Sequence, residues 1–343
     1  MEKPKDRDFI ETLEGLIFCV VGYLHPPNRY SSYLKYIPDP RGKWRRGAEG
    51  FSRVMDYYHV TQVEKTYEFL KEHYPMYLFN CPVRNITIPS IPHSRVKKYY
   101  NPKLRLRSIV SGESRDSLER KLVDFVEFLH DISGVDTSLF GVTGSILIGN
   151  HNPEFSDIDL NIYGRESSLQ IKQSLIKYLE KGGRVKPIGE EKRMDWVLKR
   201  SEWFGLSVED MMVIAERRWN QGVFGGTYFS IHPIRTDDEI TENYGDFVYR
   251  QLGEVTGKAV IRNSTEAMFL PSIYKISNLE TNNGEKIDVD EIASYEGVFT
   301  DIFLEGEQIE FRGILEEVSG EKNFYRVVVG GSGSKNSYMR LVN

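Results

Sequence analysis

Apolar positions along the chain change their period several times, and each change marks an element. From Ser114 to Gly134, the text SRDSLERKLVDFVEFLHDISG sets Leu118, Leu122, Val123, Val126 and Leu129 on one stripe at helical spacing. Ser114 or Asp116 stands where a cap is needed, and Gly134 lies just past the end. ESSLQIKQSLIKYLEKGG at 166–183 is a second amphipathic helix that stops at a glycine pair. LSVEDMMVIAERRWNQG from Leu206 opens with Ser207 three residues before Asp210, a capping arrangement, and reads as a third. Earlier, VTQVEKTYEFLKEHYP carries Val63, Tyr67, Phe69 and Leu70 at helical spacing until Pro75 stops it.

Elsewhere the pattern is that of strands. GLIFCVVGYL at 15–24 and RYSSYLKYI at 29–37 flank a proline-rich turn, and ITIPSIP at 86–92 is extended but proline-punctuated, which predicts an edge strand or a connection. SLFGVTG from Ser138 and GGTYFSIHPIR at 225–235 are further strands, the second alternating until Pro233. Past residue 263 the helical signals fade, and GVFTDIFLEGEQIEFRGILEEV and FYRVVVGG predict several short antiparallel strands. The expected organisation is an α/β (α+β) core with a mixed small sheet and helices at 114–263. A mixed α/β unit at 1–113 precedes it, and a small, barrel-like β domain at 264–343 follows.

Composition narrows the class of protein. A chain of 343 residues supports two or three compact units, and 40% hydrophobic with 28% charged residues excludes extensive disorder. The net charge of −5 leaves no overall basic footprint, so a polyanionic partner has to meet a local patch. One stands out: HSRVKKYYNPKLRLRSIV at 93–110, whose Lys97, Lys98, Arg105 and Arg107 with Tyr99 and Tyr100 make it either an RNA-contact candidate or a solvated connector. Cys19 and Cys81 form no metal-binding or disulfide pattern and are expected to be reduced, partly buried thiols. The apolar run at 15–24 is too short to span a bilayer and lacks the order of a signal peptide, so a cytoplasmic protein without a membrane partner is the expectation.

The chemistry concentrates in GVTGSILIGNHNPEFSDIDLNIYG, residues 141–164. Asp157 and Asp159, one residue apart, project to the same face of an apolar strand, an arrangement costly to bury unless a cation meets both. Their oxygens suit a hard divalent ion such as Mg²⁺. Gly144 lets a phosphate approach the backbone, while Ser145 offers a hydroxyl at the start of a short helix, SILIG.

These residues resemble the DNA polymerase β-like nucleotidyltransferase superfamily, whose fingerprint is hydrophobic-Gly-Ser, a spacer of about ten residues, then Asp-hydrophobic-Asp. Gly-Ser-x-x-x-Gly followed by Ser-Asp-x-Asp-Leu is similar to its minimal, mostly archaeal and bacterial members, and the resemblance covers residues 115–235. It implies that Asp157 and Asp159 bind Mg²⁺ or Mn²⁺ and that Gly144 and Ser145 hold a nucleoside triphosphate. The implied reaction moves a nucleoside monophosphate to the hydroxyl of an RNA end, a protein or a small molecule, with release of pyrophosphate. The family usually adds a third carboxylate on a later strand, but YFSIHPIR has Ser230 and His232 there. His232 is a candidate metal ligand or proton acceptor, or an ordinary strand histidine. Replacement acids exist at Asp237, Asp238 and Glu239, and at Glu190, Glu191 and Asp195. Arg235, Arg217 and Arg218 are candidates for the triphosphate oxygens, and Trp196, Trp203 and Trp219 for packing anchors. The competing expectation is a catalytically degenerate protein that keeps the pocket and binds nucleotide or RNA as a regulator. Neither base recognition nor acceptor choice has a local code in the motif.

Overall fold

The computed structural model describes residues 3–54, 60–112, 115–181, 183–282, 284, 287–330 and 336–342, and among them seven α-helices and three sheets form a mixed α/β protein. Strands β1 (Phe9–Thr12), β2 (Ile17–Val20), β3 (Arg29–Pro38), β4 (Trp44–Arg46) and β5 (Glu49–Arg53) precede helix α1 (Val60–His73). Strands β6 (Leu78–Cys81), β7 (Ile86–Pro92) and β8 (Val96–Tyr100) follow, and helix α2 (Pro102–Ser111) leaves the sheet. The order is β4-β5-β3-β2-β1-β8, with β7 and then β6 branching from β3. The proline-rich β7 bridges β3 and β6, and nowhere along it is a residue paired on both sides as in a central strand. It is an edge by halves: residues 86–89 pair with β6 and residues 90–92 with β3, so Pro89 and Pro92 sit in a ladder that never needs donors on both sides at once. In α1, Leu70 is buried as the stripe requires, while Val63 lies outside the residues whose side chains are described.

The second sheet carries the motif. Helix α3 (Ser117–Ser133) starts at Asp116, whose carboxylate accepts from the Leu118 and Glu119 amides while Glu119 bonds back to the Asp116 amide, and it ends on a left-handed Gly134. Ser114, the alternative cap, lies outside the described residues. Then come β9 (Phe140–Val142), α4 (Gly144–Ile148), β10 (Ile158–Tyr163), α5 (Arg165–Lys181), β11 (Val185–Lys186), α6 (Glu190–Phe204), α7 (Val208–Glu216), β12 (Gln221–Phe224) and β13 (Thr227–Ile234). The order is β11-β12-β13-β10-β9, and β10 runs parallel to β13 because α5, α6 and α7 supply the crossover. Sequence periodicity does not foresee α6, since only Val197, Ser201 and Phe204 of its fifteen residues are buried, too thin a stripe to register.

The third sheet comprises β14 (Val248–Asn263), β15 (Ser272–Thr281), β16 (Val289–Ser294), β17 (Gln308–Ser319), β18 (Phe324–Val329) and β19 (Tyr338–Leu341). Pairing runs β14-β15-β16-β18-β17 and returns from β17 to β14, closing a ring of five strands, with β19 added on β17. Unlike the purely antiparallel tail that the sequence suggests, β16 and β18 are parallel.

The units meet along shared borders, not at linkers. Residue 113 does not separate the first two: α2 buries Leu106 and Ile109 in the core beneath β9 and β10, and Leu147 and Ile148 of α4 pack among Phe9, Cys19, Tyr36 and Trp44 of the first sheet. Nor does residue 263 separate the last two, because β14 already belongs to the third sheet and Phe204, Met211 and Ile214 of α6 and α7 share its core. Among the described residues no helix is long and apolar enough to cross a membrane.

Candidate active site

Strand β9 ends at Val142, and the Thr143 that follows donates its amide to the Asp159 carbonyl at 2.9 Å and its hydroxyl to the Arg7 carbonyl at 2.6 Å. The next residue, Gly144, takes φ +66°, and a Cβ built on it would overlap Asp159 Oδ2. Glycine is needed there twice, for the left-handed backbone and for the carboxylate lying against it. Ser145 is buried in the first turn of the five-residue α4. Asp157 immediately precedes β10 and Asp159 is its second residue, and the two aspartates line the same cavity as Gly144 and Ser145.

The carboxylates differ electrically. Burial, and then the like charge of Asp159, push Asp157 up to about 6. Burial would raise Asp159 too, but its neighbours His232 and Ser230, with the charge of Arg7, hold it down at about 2. The parallel register that sets Ser230 beside Asp159 on β13 creates this neighbourhood. Ser230 Oγ donates to Asp159 Oδ1, and His232 Nε2 lies 2.8 Å from Ser230 Oγ. Burial and Arg7 depress His232 to about 4, so it is neutral near pH 7 and Nε2–H is the tautomer that donates to Ser230. His232 Nε2 is 3.9 Å from Asp159 Oδ1, and its link to that carboxylate runs through the hydroxyl.

The structure distributes the remaining candidates differently from the sequence. Arg235 does not reach the Gly-Ser turn: it is buried, donates to the Tyr23 hydroxyl and pairs with Glu266, tying β13 to the segment before β15. Arg217 forms a bidentate pair with Glu307. Asp237 pairs with Lys5, and Glu239 accepts from the Arg165 and Thr236 amides, so neither supplies a third acid to the site. Among the described residues no three His, Cys, Asp or Glu side chains gather as a metal cluster. All three tryptophans are the packing anchors expected: Trp219 Nε1 donates to Asp301 at 2.7 Å, and Trp196 and Trp203 pack partly buried against the core of the third sheet while also lining the cavity. In the basic segment, Lys97 meets Glu11, Arg95 meets Glu14 and Arg105 meets Glu119 at 2.7–2.9 Å, so half of its six Lys and Arg charges are spent inside the molecule.

Two cavities open on either side of the aspartate pair. The inner one, about 460 Å³, lies between the first sheet, the Gly144 turn and the third sheet, and Arg7, Lys35, Arg53, Arg200 and Arg218 reach it. The outer cleft, about 960 Å³, runs along α6 and is lined by Trp196, Lys192, Lys199 and Tyr228. Asp157, Asp159, Arg200 and Arg218 line both. Nothing in the sequence singles out Arg7, Lys35 and Arg53, because each lies in an ordinary strand or loop context far upstream of the motif.

The donor set fits a small divalent cation. Two carboxylates face one cavity, one of them destabilised by the other's charge, and glycine leaves room for the second to lie against the backbone. Mg²⁺ typically takes one or two carboxylates and completes its shell with water and substrate phosphates, so a third protein acid is not required.

Comparison with known proteins agrees with this geometry. A family model described as "Nucleotidyltransferase domain" matches residues 119–206, the stretch holding Gly144, Ser145, Asp157 and Asp159 but not Ser230 or His232. An uncharacterized protein of Methanocaldococcus jannaschii is 32% identical over 346 residues, covering 99% of each chain. No solved structure matches significantly.

Proposed function

The chain belongs to the family of the Methanocaldococcus jannaschii protein and carries a nucleotidyltransferase domain of the DNA polymerase β-like type, and from that premise we propose that it is a metal-dependent nucleotidyltransferase. It moves a nucleoside monophosphate from a nucleoside triphosphate to an acceptor hydroxyl. The observation that carries this reading is the placement of Asp157 and Asp159 on both of two adjoining cavities, with Asp159 lying against Gly144, as a reaction between two substrates requires.

The acceptor oxygen attacks the α-phosphorus, the bond from that phosphorus to the bridging oxygen breaks, and pyrophosphate leaves while the hydroxyl proton is lost to solvent. When bound at Asp157 and Asp159, Mg²⁺ or Mn²⁺ supplies positive charge to the reacting phosphate and acidifies the acceptor hydroxyl. Gly144 and Ser145 give the phosphates a close backbone approach and a hydroxyl. Ser230 and His232 are positioning residues: the Nε2–H to Oγ to Oδ1 chain fixes the Asp159 rotamer and leaves its Oδ2 beside Gly144. The acceptor occupies the outer cleft, where Trp196 and Tyr228 offer ring surfaces and Lys192 and Lys199 offer cations, a chemistry suited to an RNA end.

Incubation of the full chain with each α-labelled nucleoside triphosphate, Mg²⁺ and separate RNA, protein and small-molecule extracts tests this. Label should enter one acceptor fraction, and Asp157→Asn and Asp159→Asn should abolish it. That no third acidic side chain gathers with Asp157 and Asp159 as a metal cluster among the described residues favours one alternative, a nucleotide-binding regulator without turnover. Tight nucleotide binding with no labelling in any fraction would select it.

A further inference from the structure

The inner cavity presents a problem of charge. Lys35, Arg53, Arg200 and Arg218 form no ion pair among the described residues, and Arg7 meets only Asp6, at 3.4 Å. Their direct partners are rings and neutral oxygens: Arg53 lies 4.4 Å from the Trp44 ring and 3.5 Å from the Tyr36 hydroxyl, Arg200 lies 4.2 Å from the Trp196 ring, and Arg218 donates to the Gly297 carbonyl and the Gln221 side-chain oxygen. Asp157 and Asp159 act on Arg53 and Lys35 only at longer range. Arg53 Nε is buried and carries no hydrogen bond. Burial drives Lys35 down to about 8 and Arg218 to about 9, with Arg53 adding to the effect on Lys35 and Arg200 to that on Arg218. Cations withdrawn from water beside one another are costly unless an anion completes them.

Geometry narrows the anion. Arg7 is held in a left-handed conformation, φ +69°, by its amide bond to Val20 and by the Thr143 hydroxyl on its carbonyl, which fixes the residue beside Gly144. Lys35 on β3 and Arg53 on β5 belong to the same sheet, while Arg200 on α6 and Arg218 after α7 come from the second unit. Five cations contributed by two units around one cavity exceed the charge of a single phosphate and match that of a chain of phosphates. The cavity also opens on Gly144, Ser145 and both aspartates, so that such a chain would end at the reacting centre.

We propose that the N-terminal sheet is one wall of the nucleotide site, with Arg7, Lys35 and Arg53 holding the triphosphate of the incoming nucleotide against Gly144 and Ser145, and Arg218 completing the clamp from the second unit. This rests on the reading of Asp157 and Asp159 as the transfer centre and assigns the outer cleft to the other substrate. The first unit then is half of the active site, not an appended module.

Titration calorimetry of the full chain with tripolyphosphate and with ATP, each with and without Mg²⁺, tests the wall. Lys35→Met and Arg53→Gln should each weaken tripolyphosphate binding tenfold or more, while the ligand-free thermal midpoint stays level or rises, because an uncompensated cation has gone. Arg107→Gln, an exposed cation away from the cavity, should change binding less than twofold. Undiminished binding in both wall variants, an equal loss with Lys199→Met in the outer cleft, or a lowered midpoint in both wall variants would overturn the proposal. Parallel labelling assays separate it from the reading on which it rests. Wall-dependent binding of tripolyphosphate without transfer to any acceptor sinks the transferase and leaves the wall standing, whereas metal-dependent transfer with unchanged nucleotide affinity in both wall variants sinks the wall alone.

Discussion

Two groups of cations in the first third of the chain behave oppositely. The segment from Arg95 to Arg107 is dense in charge in the sequence, yet Arg95, Lys97 and Arg105 each find a glutamate. Arg7, Lys35 and Arg53 are scattered singly, yet converge on one cavity, where Arg7 alone has an ion pair among the described residues. Density along the chain measures nothing about availability. What decides is whether folding brings a carboxylate to each cation, and the pairs around Glu11 show how fully that can happen. Glu11 accepts from Lys97, Tyr100 and Arg46, which together outweigh the effect of its burial and hold it at about 2.

The contrast can be broken in several places. The largest effect is expected at the centre that the unpaired cations surround: Asp157→Asn should cut transfer by about a thousandfold. Its ligand-free thermal midpoint should rise, because burial and Asp159 both oppose ionisation of Asp157.

Among the paired cations, Glu11→Gln should cost about 3 kcal/mol at neutral pH, measured by chemical denaturation, since it strands charges around a buried position. The pH dependence has a definite sign. The folded carboxyl titrates at about 2, below its ordinary value of 4.5, so its contribution is complete above that ordinary value. The gap between wild type and variant should therefore hold from neutral pH down to about 5 and close as the pH falls towards 2.

A smaller change is expected at Ser230→Ala, which cuts the His232 chain to Asp159 but leaves both carboxylates: about a tenfold loss in kcat with nucleotide KM little altered. His232→Gln, which can still donate to Ser230, should retain more of the rate than His232→Ala. The smallest concerns the exposed remainder of the basic segment. Lys98→Ala and Arg107→Ala together should change nucleotide affinity and stability only marginally, within about 0.5 kcal/mol for each. A large effect there would mean that the segment, not the cavity wall, carries the ligand.

The site was legible in proportion to how local its signals are. Gly144 needs a left-handed backbone and no Cβ, and Asp157 and Asp159 must alternate on a strand; both demands act within a few residues and so leave a spacing. Helix α3 was legible for the same reason, with its stripe and caps all within one turn of their partners. Helix α6 was not, because its stability draws on a few buried residues and on the neighbouring third sheet. Arg235 illustrates the converse failure: a guanidinium at the end of the right strand looks available until Glu266, thirty-one residues later, folds against it.

By itself, then, the sequence determined the elements around the motif, the paired carboxylates and the nucleotidyltransferase type, since these depend on periodicity, backbone conformation and short spacings. Tertiary structure alone decided that Ser230 and His232 support Asp159, that Arg235 is spent elsewhere, and that the first sheet reaches the Gly144 turn. Strand register, ion pairing and cavity walls are relations between residues far apart in the chain. No local pattern encodes them, because the energy that sets them is the burial and charge balance of the whole fold.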